Sequence, residues 1–136
     1  MPDSDEPRWV RDEYVLIIHQ RQLERYKGIP GVRDANLLAS ALARPRHLLA
    51  YGDPSPDMAA LAAAYAYGIV RNHPFADGNK RAGFMVSLAF LRLNGYNLIS
   101  PEEENYQTFI RLAAGNLSEE ELAQWMRENI VSGWAE

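Results

Sequence analysis

The chain has 136 residues, a formal net charge of -4 and a pI near 5.4. This length suits one compact domain with a buried core and is short for two. Proteins that bind nucleic acids usually carry a basic face, so the acidic balance argues against direct nucleic-acid binding, although it does not exclude a local basic patch. The sequence contains no cysteine, which excludes disulfides and thiolate metal sites.

Residues 1–8 are acidic and rich in proline, and we expect a flexible lead-in there, followed by a single domain over residues 9–136. The lead-in has no apolar core and is not expected to be a secretory signal. The longest apolar stretch, residues 58–70, is mostly alanine and too short to span a bilayer. We therefore expect a cytoplasmic protein without a membrane partner.

Apolar residues at helical spacing, punctuated by Gly and Pro, predict an all-α fold, a compact bundle of about six helices. The first helix is expected to stop at Gly28. The second is capped by Asp34 or Asn36 and ends at Pro45, because the residue before a proline disfavours the α conformation. Residues 46–57 predict a loop, with a short hairpin as an alternative.

The next two predicted helices, at about 57–72 and 79–94, are apolar on most faces, which is typical of helices in the middle of a bundle. The last two are predicted to begin with capping boxes at Ser100 and Ser118. Only residues 96–99 suggest an extended chain.

The segment from His73 to Arg81, His-Pro-Phe-Ala-Asp-Gly-Asn-Lys-Arg, joins the two most apolar helices. Lys80 and Arg81 fall in the first turn of a helix, where the dipole costs each cation about 0.3–1 kcal/mol. The last two predicted helices carry glutamates there instead. Free backbone N–H groups, a glycine and two cations together predict a phosphate-binding cradle.

Two ionisable side chains extend this segment towards phosphate transfer. Asp77 is a hard oxygen ligand suited to Mg²⁺, which takes one or two carboxylates together with phosphate oxygens. His73 is the only nearby group that can act as a base near neutral pH. From composition alone, an ordinary helix–turn–helix connection is an equal alternative, with Asp77-Gly78 as a turn and Asn79 as a helix cap.

The segment resembles the signature of the Fic/Doc family, His-x-Phe-x-Asp/Glu-Gly/Ala-Asn-x-Arg, which is matched by His73, Phe75, Asp77, Gly78, Asn79 and Arg81. Residues 25–31 and 90–95 also resemble segments of Doc toxins, so the similarity runs from about His19 onward. It implies a Fido-type helical fold. Fic enzymes that adenylylate carry a glycine at the Lys80 position and a second arginine at the Phe84 position. This chain departs from that pattern at both positions, and Doc toxins share both departures.

The resemblance thus implies the toxin of a toxin–antitoxin pair, a kinase that transfers the γ-phosphate of ATP to a threonine of elongation factor Tu or another protein target and halts translation. A cognate antitoxin with a disordered segment is the other implied partner. Gly78 stands where Doc has alanine, which keeps Fic-type adenylylation as an alternative. A non-catalytic module that binds a nucleotide or a partner is the third hypothesis.

The resemblance also implies residue roles. His73 would be the general base and Asp77 would hold Mg²⁺. The phosphates of ATP would be bound by Gly78, Asn79, Lys80 and Arg81, with Arg71 and Arg25 as further candidates that are more often solvated arginines.

Fic proteins place a flap ahead of the motif, which aligns an extended target segment by strand addition. In the corresponding region, Leu48, Leu49 and Tyr51 would contribute to target docking, unless they only fasten the segment to the bundle. His19 and His47 have no helical or motif partner in the sequence, and a zinc site is not expected.

Overall fold

The computed structural model describes residues 6–133, so residues 1–5 of the expected lead-in and residues 134–136 lie outside the described range. The described chain forms six helices: α1 (Asp12–Tyr26), α2 (Ala35–Tyr51), α3 (Met58–Asn72), α4 (Asn79–Leu93), α5 (Glu102–Ala113) and α6 (Glu119–Asn129). Two short strands, β1 (Tyr96–Leu98) and β2 (Ile130–Ser132), pair antiparallel with Asn97 opposite Val131. The prediction of a compact helical bundle is confirmed.

Helix α3 lies at the centre, with α2, α4 and α6 packed around it. Its many alanines let the neighbouring helices approach closely. At Gly68 of α3, an added Cβ would lie 3.1 Å from the backbone of Ala41 in α2. At Gly83 of α4, it would lie 2.7 Å from the side chain of Val70. This close packing holds the end of α3 and the start of α4 in place. Although α3 is apolar, no helix in the described part of the chain is long and apolar enough to cross a membrane.

Helix α2 is longer than predicted. Asp34 caps it by accepting a hydrogen bond from the Leu37 N–H (3.0 Å), but the helix continues through Pro45 to Tyr51. A proline inside a helix costs about 3 kcal/mol, because one backbone hydrogen bond is lost and the ring clashes with the carbonyl four residues earlier. Pro45 is itself buried and the following turns pack on the core, which offsets that cost.

Residues 46–57, predicted as a loop with a short hairpin as the alternative, contain no hairpin, and the loop is shorter than predicted. The first part of this region forms the last turns of α2, and residues 52–57 form a loop without a strand. Leu48 and Leu49 are partly buried and packed against the core, so they fasten the helix to the bundle. Tyr51 is 81% exposed at the end of α2. The three residues therefore do not form a strand-like docking edge.

The two predicted capping boxes differ in outcome. At Ser118 the box is confirmed, because its side chain accepts from the Glu121 N–H while the Glu121 carboxylate accepts from the Ser118 N–H. At Ser100 the prediction is wrong. Helix α5 begins after Pro101 without a side-chain cap, and the Ser100 hydroxyl contacts the Asn105 side chain instead.

The folded domain begins before Trp9. The Arg8 N–H donates to the Asn94 side chain (2.8 Å), and the Asn94 amide donates back to the Arg8 carbonyl (3.0 Å). The Trp9 ring stacks on Phe90 of α4 with centroids 5.8 Å apart. Arg8, which we assigned to the lead-in, is therefore attached to the bundle.

Candidate active site

The loop of residues 73–78, hereafter the motif loop, connects α3 to α4. His73 ends α3 in the left-handed conformation (φ 56, ψ 51), and Gly78 precedes α4 with φ 76. Pro74 and Phe75 are buried, whereas His73 and Asp77 are exposed. The apolar side chains therefore anchor the loop in the core, and the ionisable side chains face solvent.

Asn79, the first residue of α4, holds the motif loop through its side chain. Its side-chain Nδ2 donates to the Phe75 carbonyl oxygen (3.0 Å), and its Oδ1 accepts from the Phe75 N–H (3.0 Å). The residue is 4% exposed, so these bonds satisfy polar groups that would be costly to leave unpaired. Its predicted role is revised accordingly: the Asn79 side chain holds the loop, and only its backbone N–H is available to a phosphate.

The start of α4 combines free backbone N–H groups with two cationic side chains. No side chain caps this helix, and its first turn contains no acidic residue. Within residues 6–133, the backbone N–H groups of Asn79, Lys80 and Arg81 have no hydrogen-bond acceptor. The side chains of Lys80 and Arg81 are exposed. Unpaired N–H groups, the helix dipole and two cations create a positive potential that favours an anion at this point.

Asp77 is held by two backbone N–H groups. Its Oδ2 accepts from Ile29 (3.1 Å) and its Oδ1 from Gly78 (2.9 Å). The bond from Ile29, followed by that from Gly78, holds the pKa of Asp77 below its usual value of 3.8. The nearby positive charge of Arg81 also lowers this pKa. The carboxylate is therefore ionised at neutral pH.

The donor set around Asp77 fits Mg²⁺ bound together with phosphates. Each carboxylate oxygen of Asp77 keeps a lone pair beyond its single N–H bond. The described part of the chain contains no group of three or more His, Cys, Asp or Glu side chains that could hold a metal. Mg²⁺ is commonly held by one or two carboxylates plus substrate phosphates, and Asp77 beside the cradle offers that combination.

An extended segment after α1 runs along the motif loop. The Ala76 N–H donates to the Gly31 carbonyl (3.0 Å), and the Arg33 N–H donates to the Pro74 carbonyl (2.7 Å). The Arg33 guanidinium also donates to the His73 carbonyl (2.8 Å). No local pattern in the sequence places Arg33 at the site. The available signal was the likeness of the preceding turn, residues 25–31, to Doc toxins.

His19 contacts the motif loop from α1, and the expectation that it has no motif partner is wrong. It is 4% exposed, and its Nε2 lies 2.8 Å from the Asp77 carbonyl oxygen. Its ring stacks on Phe75 with centroids 3.8 Å apart and planes inclined by 10°. His47, by contrast, is exposed on α2, where its ring meets Tyr51 edge-on with centroids 6.0 Å apart.

The two additional arginines have different positions. The Arg71 guanidinium lies at the end of α5, where it donates to the carbonyls of Leu112 (3.3 Å) and Ala113 (3.4 Å). A cation stabilises the negative end of a helix, so the phosphate role expected of Arg71 is revised to a structural one. Arg25 and Arg81 lie against the same ring, that of Tyr26, and the phosphate role of Arg25 stays a prediction.

Phe84 occupies the position of the second arginine of adenylylating Fic enzymes. Its ring meets Phe109 of α5 edge-on, with centroids 5.2 Å apart and planes at 73°. The side chain is half-buried and packed against the core. This position therefore joins α4 to α5 and offers no charge to a ligand.

The comparison with protein families agrees with this site. The model of the family described as "Fic/DOC family" matches residues 9–91, more than half of the chain. The chain belongs to the Fic/Doc family. The match includes the whole motif loop and the first turns of α4, so the resemblance predicted from the motif is confirmed.

Two relatives of this Fic/Doc protein are of the Doc subclass. "Protein kinase doc" of Escherichia phage P1 is 29% identical over 120 residues, which is 88% of this chain and 94% of the phage protein. "Toxin Doc" of Mycolicibacterium smegmatis is 40% identical over 67 residues, which is 49% of this chain and 52% of that protein. The chain thus spans nearly the whole length of the first relative and about half that of the second.

Proposed function

We propose that this Fic/Doc protein is the toxin of a toxin–antitoxin pair. It acts in the cytoplasm as a protein kinase that transfers the γ-phosphate of ATP to a threonine hydroxyl of a translation factor, elongation factor Tu, and so stops translation. The names of both relatives support the proposal. The observation that carries the choice of reaction is the pair Lys80 and Phe84 on α4. A cognate antitoxin with a disordered segment is the proposed inhibitory partner.

In the proposed phosphoryl transfer, each residue of the site has a separate role. Asp77 would hold Mg²⁺, which would neutralise phosphate charge when bound with ATP. The target threonine oxygen attacks the γ-phosphorus, its proton passes to a ring nitrogen of His73, and ADP leaves. The free N–H groups at the start of α4 and the charges of Lys80 and Arg81 oppose the negative charge on the transferring group, where most catalysis of such reactions resides.

His73 is suited to the role of base by the way its backbone is held. Its N–H donates to the Ile69 carbonyl (3.1 Å), and its own carbonyl accepts from the Arg33 guanidinium (2.8 Å). The imidazole itself is exposed and has no hydrogen-bond partner within the described residues. An anchored backbone with a free ring lets the side chain accept a proton without disturbing the loop.

Lys80 and Phe84 favour kinase chemistry over adenylylation. Adenylylation requires the α-phosphate beside the base and the β- and γ-phosphates deeper in the cradle, where Fic enzymes supply a glycine and a second arginine. Here the long, exposed side chain of Lys80 stands at the glycine position, and Phe84 packs on Phe109. Burying phosphate charge without a partner costs several kcal/mol. In the reversed pose the γ-phosphate faces His73, and Lys80 supports it as a point charge.

Gly78 does not oppose this choice. It has φ 76, a conformation that glycine adopts without strain and that other residues rarely adopt. The backbone conformation of the motif loop therefore favours glycine at this position, whichever phosphate of ATP is transferred.

Expression in growing bacteria tests the proposed function. The wild-type protein and the control His47→Ala should arrest growth and the incorporation of labelled amino acids. His73→Ala should arrest neither, although its thermal melt should show a folded protein. Growth arrest by His73→Ala equal to that by the wild type would contradict the proposed chemistry.

A further inference from the structure

Two arginines meet one aromatic ring beside the cradle. Tyr26, the last residue of α1, is 47% exposed, and the guanidinium carbon of Arg81 lies 4.1 Å from its ring centroid. The guanidinium carbon of Arg25 lies 5.5 Å from the same centroid. Cations are attracted to an aromatic face within about 6 Å. Arg81, the arginine of the motif, therefore makes the closer contact with the ring.

The ring contact leaves the hydrogen-bond donors of Arg81 available. Within residues 6–133, Arg81 forms no ion pair and no side-chain hydrogen bond with the protein. The N–H donors of a guanidinium lie in the plane of the group. An arginine whose face packs on a ring can therefore direct its edge to a phosphate, with two parallel hydrogen bonds.

Without the ring, the surroundings would repel the guanidinium. Arg81 is in the first turn of α4, next to Lys80, and the N-terminal end of the helix is itself positive. The negative face of an aromatic ring attracts a cation and opposes this repulsion. An arginine already held in one conformation also loses less side-chain entropy when a ligand binds.

The backbone that carries Tyr26 is held by contacts on either side of it. His19 on α1 contacts the Asp77 carbonyl, and the Ile29 N–H binds the Asp77 carboxylate. The end of α1 is thereby fastened to the motif loop. The Tyr26 hydroxyl has no hydrogen-bond partner in the described part of the chain. The ring, rather than the hydroxyl, is the part that contacts the site.

We propose that Tyr26 is a positioning residue, whose ring holds the Arg81 guanidinium at the cradle and so strengthens the binding of ATP. This inference rests on the proposed function, because that function assigns Arg81 to the phosphates. Tyr26 does not touch the reacting atoms. Its loss should therefore raise the Kd for ATP and, because the proposed function also gives Arg81 a role in phosphoryl transfer, lower kcat/KM.

Titration calorimetry with ATP and Mg²⁺ tests this role. Tyr26→Leu should weaken ATP binding roughly two- to fivefold, the factor that corresponds to an exposed cation–π contact. Tyr26→Phe keeps the ring and should bind as the wild type does. Tyr14→Leu removes a tyrosine of similar exposure (43%) from the same helix and should also bind normally. Tyr26→Met provides a second variant without the ring, should Tyr26→Leu fail to fold.

A double-mutant cycle with Arg81→Gln links the effect to Arg81. Once the guanidinium is removed, Tyr26→Leu should cause no further loss of ATP affinity. Wild-type affinity in Tyr26→Leu, or equal weakening by Tyr26→Phe, would overturn the positioning role. A wild-type protein that binds ATP but labels no target would contradict the proposed kinase function alone, because the binding comparison still tests Tyr26. A wild-type protein that binds no ATP would overturn both.

Discussion

The Nε2 atom of His19 lies 2.8 Å from the carbonyl oxygen of Asp77 and ties the middle of α1 to the motif loop. Because a carbonyl oxygen only accepts hydrogen bonds, this nitrogen must carry the proton. Stacking on Phe75 fixes the plane of the same ring. His19 therefore holds the backbone of Asp77, the residue assigned to Mg²⁺ in the proposed function.

Replacing His19 with alanine should lower the free energy of unfolding by about 2 kcal/mol. The loss combines a buried hydrogen bond, worth about 1 kcal/mol, with an aromatic contact worth about 0.5–1.5 kcal/mol. Denaturant unfolding measures the change. His47→Ala, an exposed histidine, should stay within about 0.5 kcal/mol of the wild type. Equal stability of the two variants would mean that the His19 contacts contribute little.

The cations of α4 should reduce stability in the absence of a ligand. Lys80→Ala should raise the free energy of unfolding by about 0.3–1 kcal/mol at low salt, because it removes a cation from the positive end of a helix. Arg81→Ala should change it less, since the loss of the ring contact with Tyr26, about 0.5–1 kcal/mol, acts in the opposite direction. Chemical denaturation at low and high salt measures both changes.

The matched control is Glu120→Ala, which removes an exposed glutamate from the first turn of α6 and should lower stability by a similar amount. Clear destabilisation by Lys80→Ala would show that this lysine serves the fold and would remove the physical argument for the cradle.

Asp77 should make stability depend on pH in the acid range. Its pKa is lowered in the folded protein by the N–H bonds from Ile29 and Gly78. A lowered carboxyl pKa gives stability that is fully present above the unfolded value, near 3.8, and that is lost as pH falls through the folded pKa. The stability difference between wild type and Asp77→Asn should therefore be largest near neutral pH and shrink below about pH 4.

Urea unfolding of both proteins across this pH range provides the measurement, with Glu24→Gln, an exposed carboxylate on α1, as the control for lost charge. If the free energies of unfolding of wild type and Asp77→Asn differ by a constant amount from neutral to acid pH, the role of the two N–H bonds is contradicted.

The backbone conformation of His73 should lower the stability of the folded protein. Its φ of 56 is in the left-handed region, which costs a non-glycine residue roughly 1–2 kcal/mol and which glycine adopts readily at helix ends. His73→Gly should therefore be at least as stable as the wild type while losing activity. Thermal melts and target labelling measure the two properties. Strong destabilisation by His73→Gly would show that the imidazole holds the loop together.

The sequence predicts the parts of the molecule in which the informative residues are close together along the chain. The Ser118 capping box and the Lys80–Arg81 pair depend on neighbouring residues, and their positions are confirmed. Helix α3 was recognised as central because it is apolar on nearly every face. The motif is likewise contained within nine consecutive residues, 73–81.

Features that depend on tertiary packing were missed. His19 and Asp77 are separated by 58 positions, and no local pattern reports such a contact. Pro45 was expected to end α2 because its local cost is real, and only the packing of the following turns overrides it. Asn79 was assigned to phosphate because the sequence does not show that its amide is already bonded to the Phe75 backbone.

The most direct test of the proposed chemistry is the mass of the target after reaction. Purified protein is incubated with elongation factor Tu, ATP and Mg²⁺, with His73→Ala as the inactive control, and the intact target is weighed by mass spectrometry. Because Phe84 offers no charge to deep phosphates and Lys80 stands where adenylylating Fic enzymes have glycine, we predict a mass gain of one phosphoryl group that depends on His73. A gain of a whole adenylate group would contradict the kinase assignment and establish adenylylation instead.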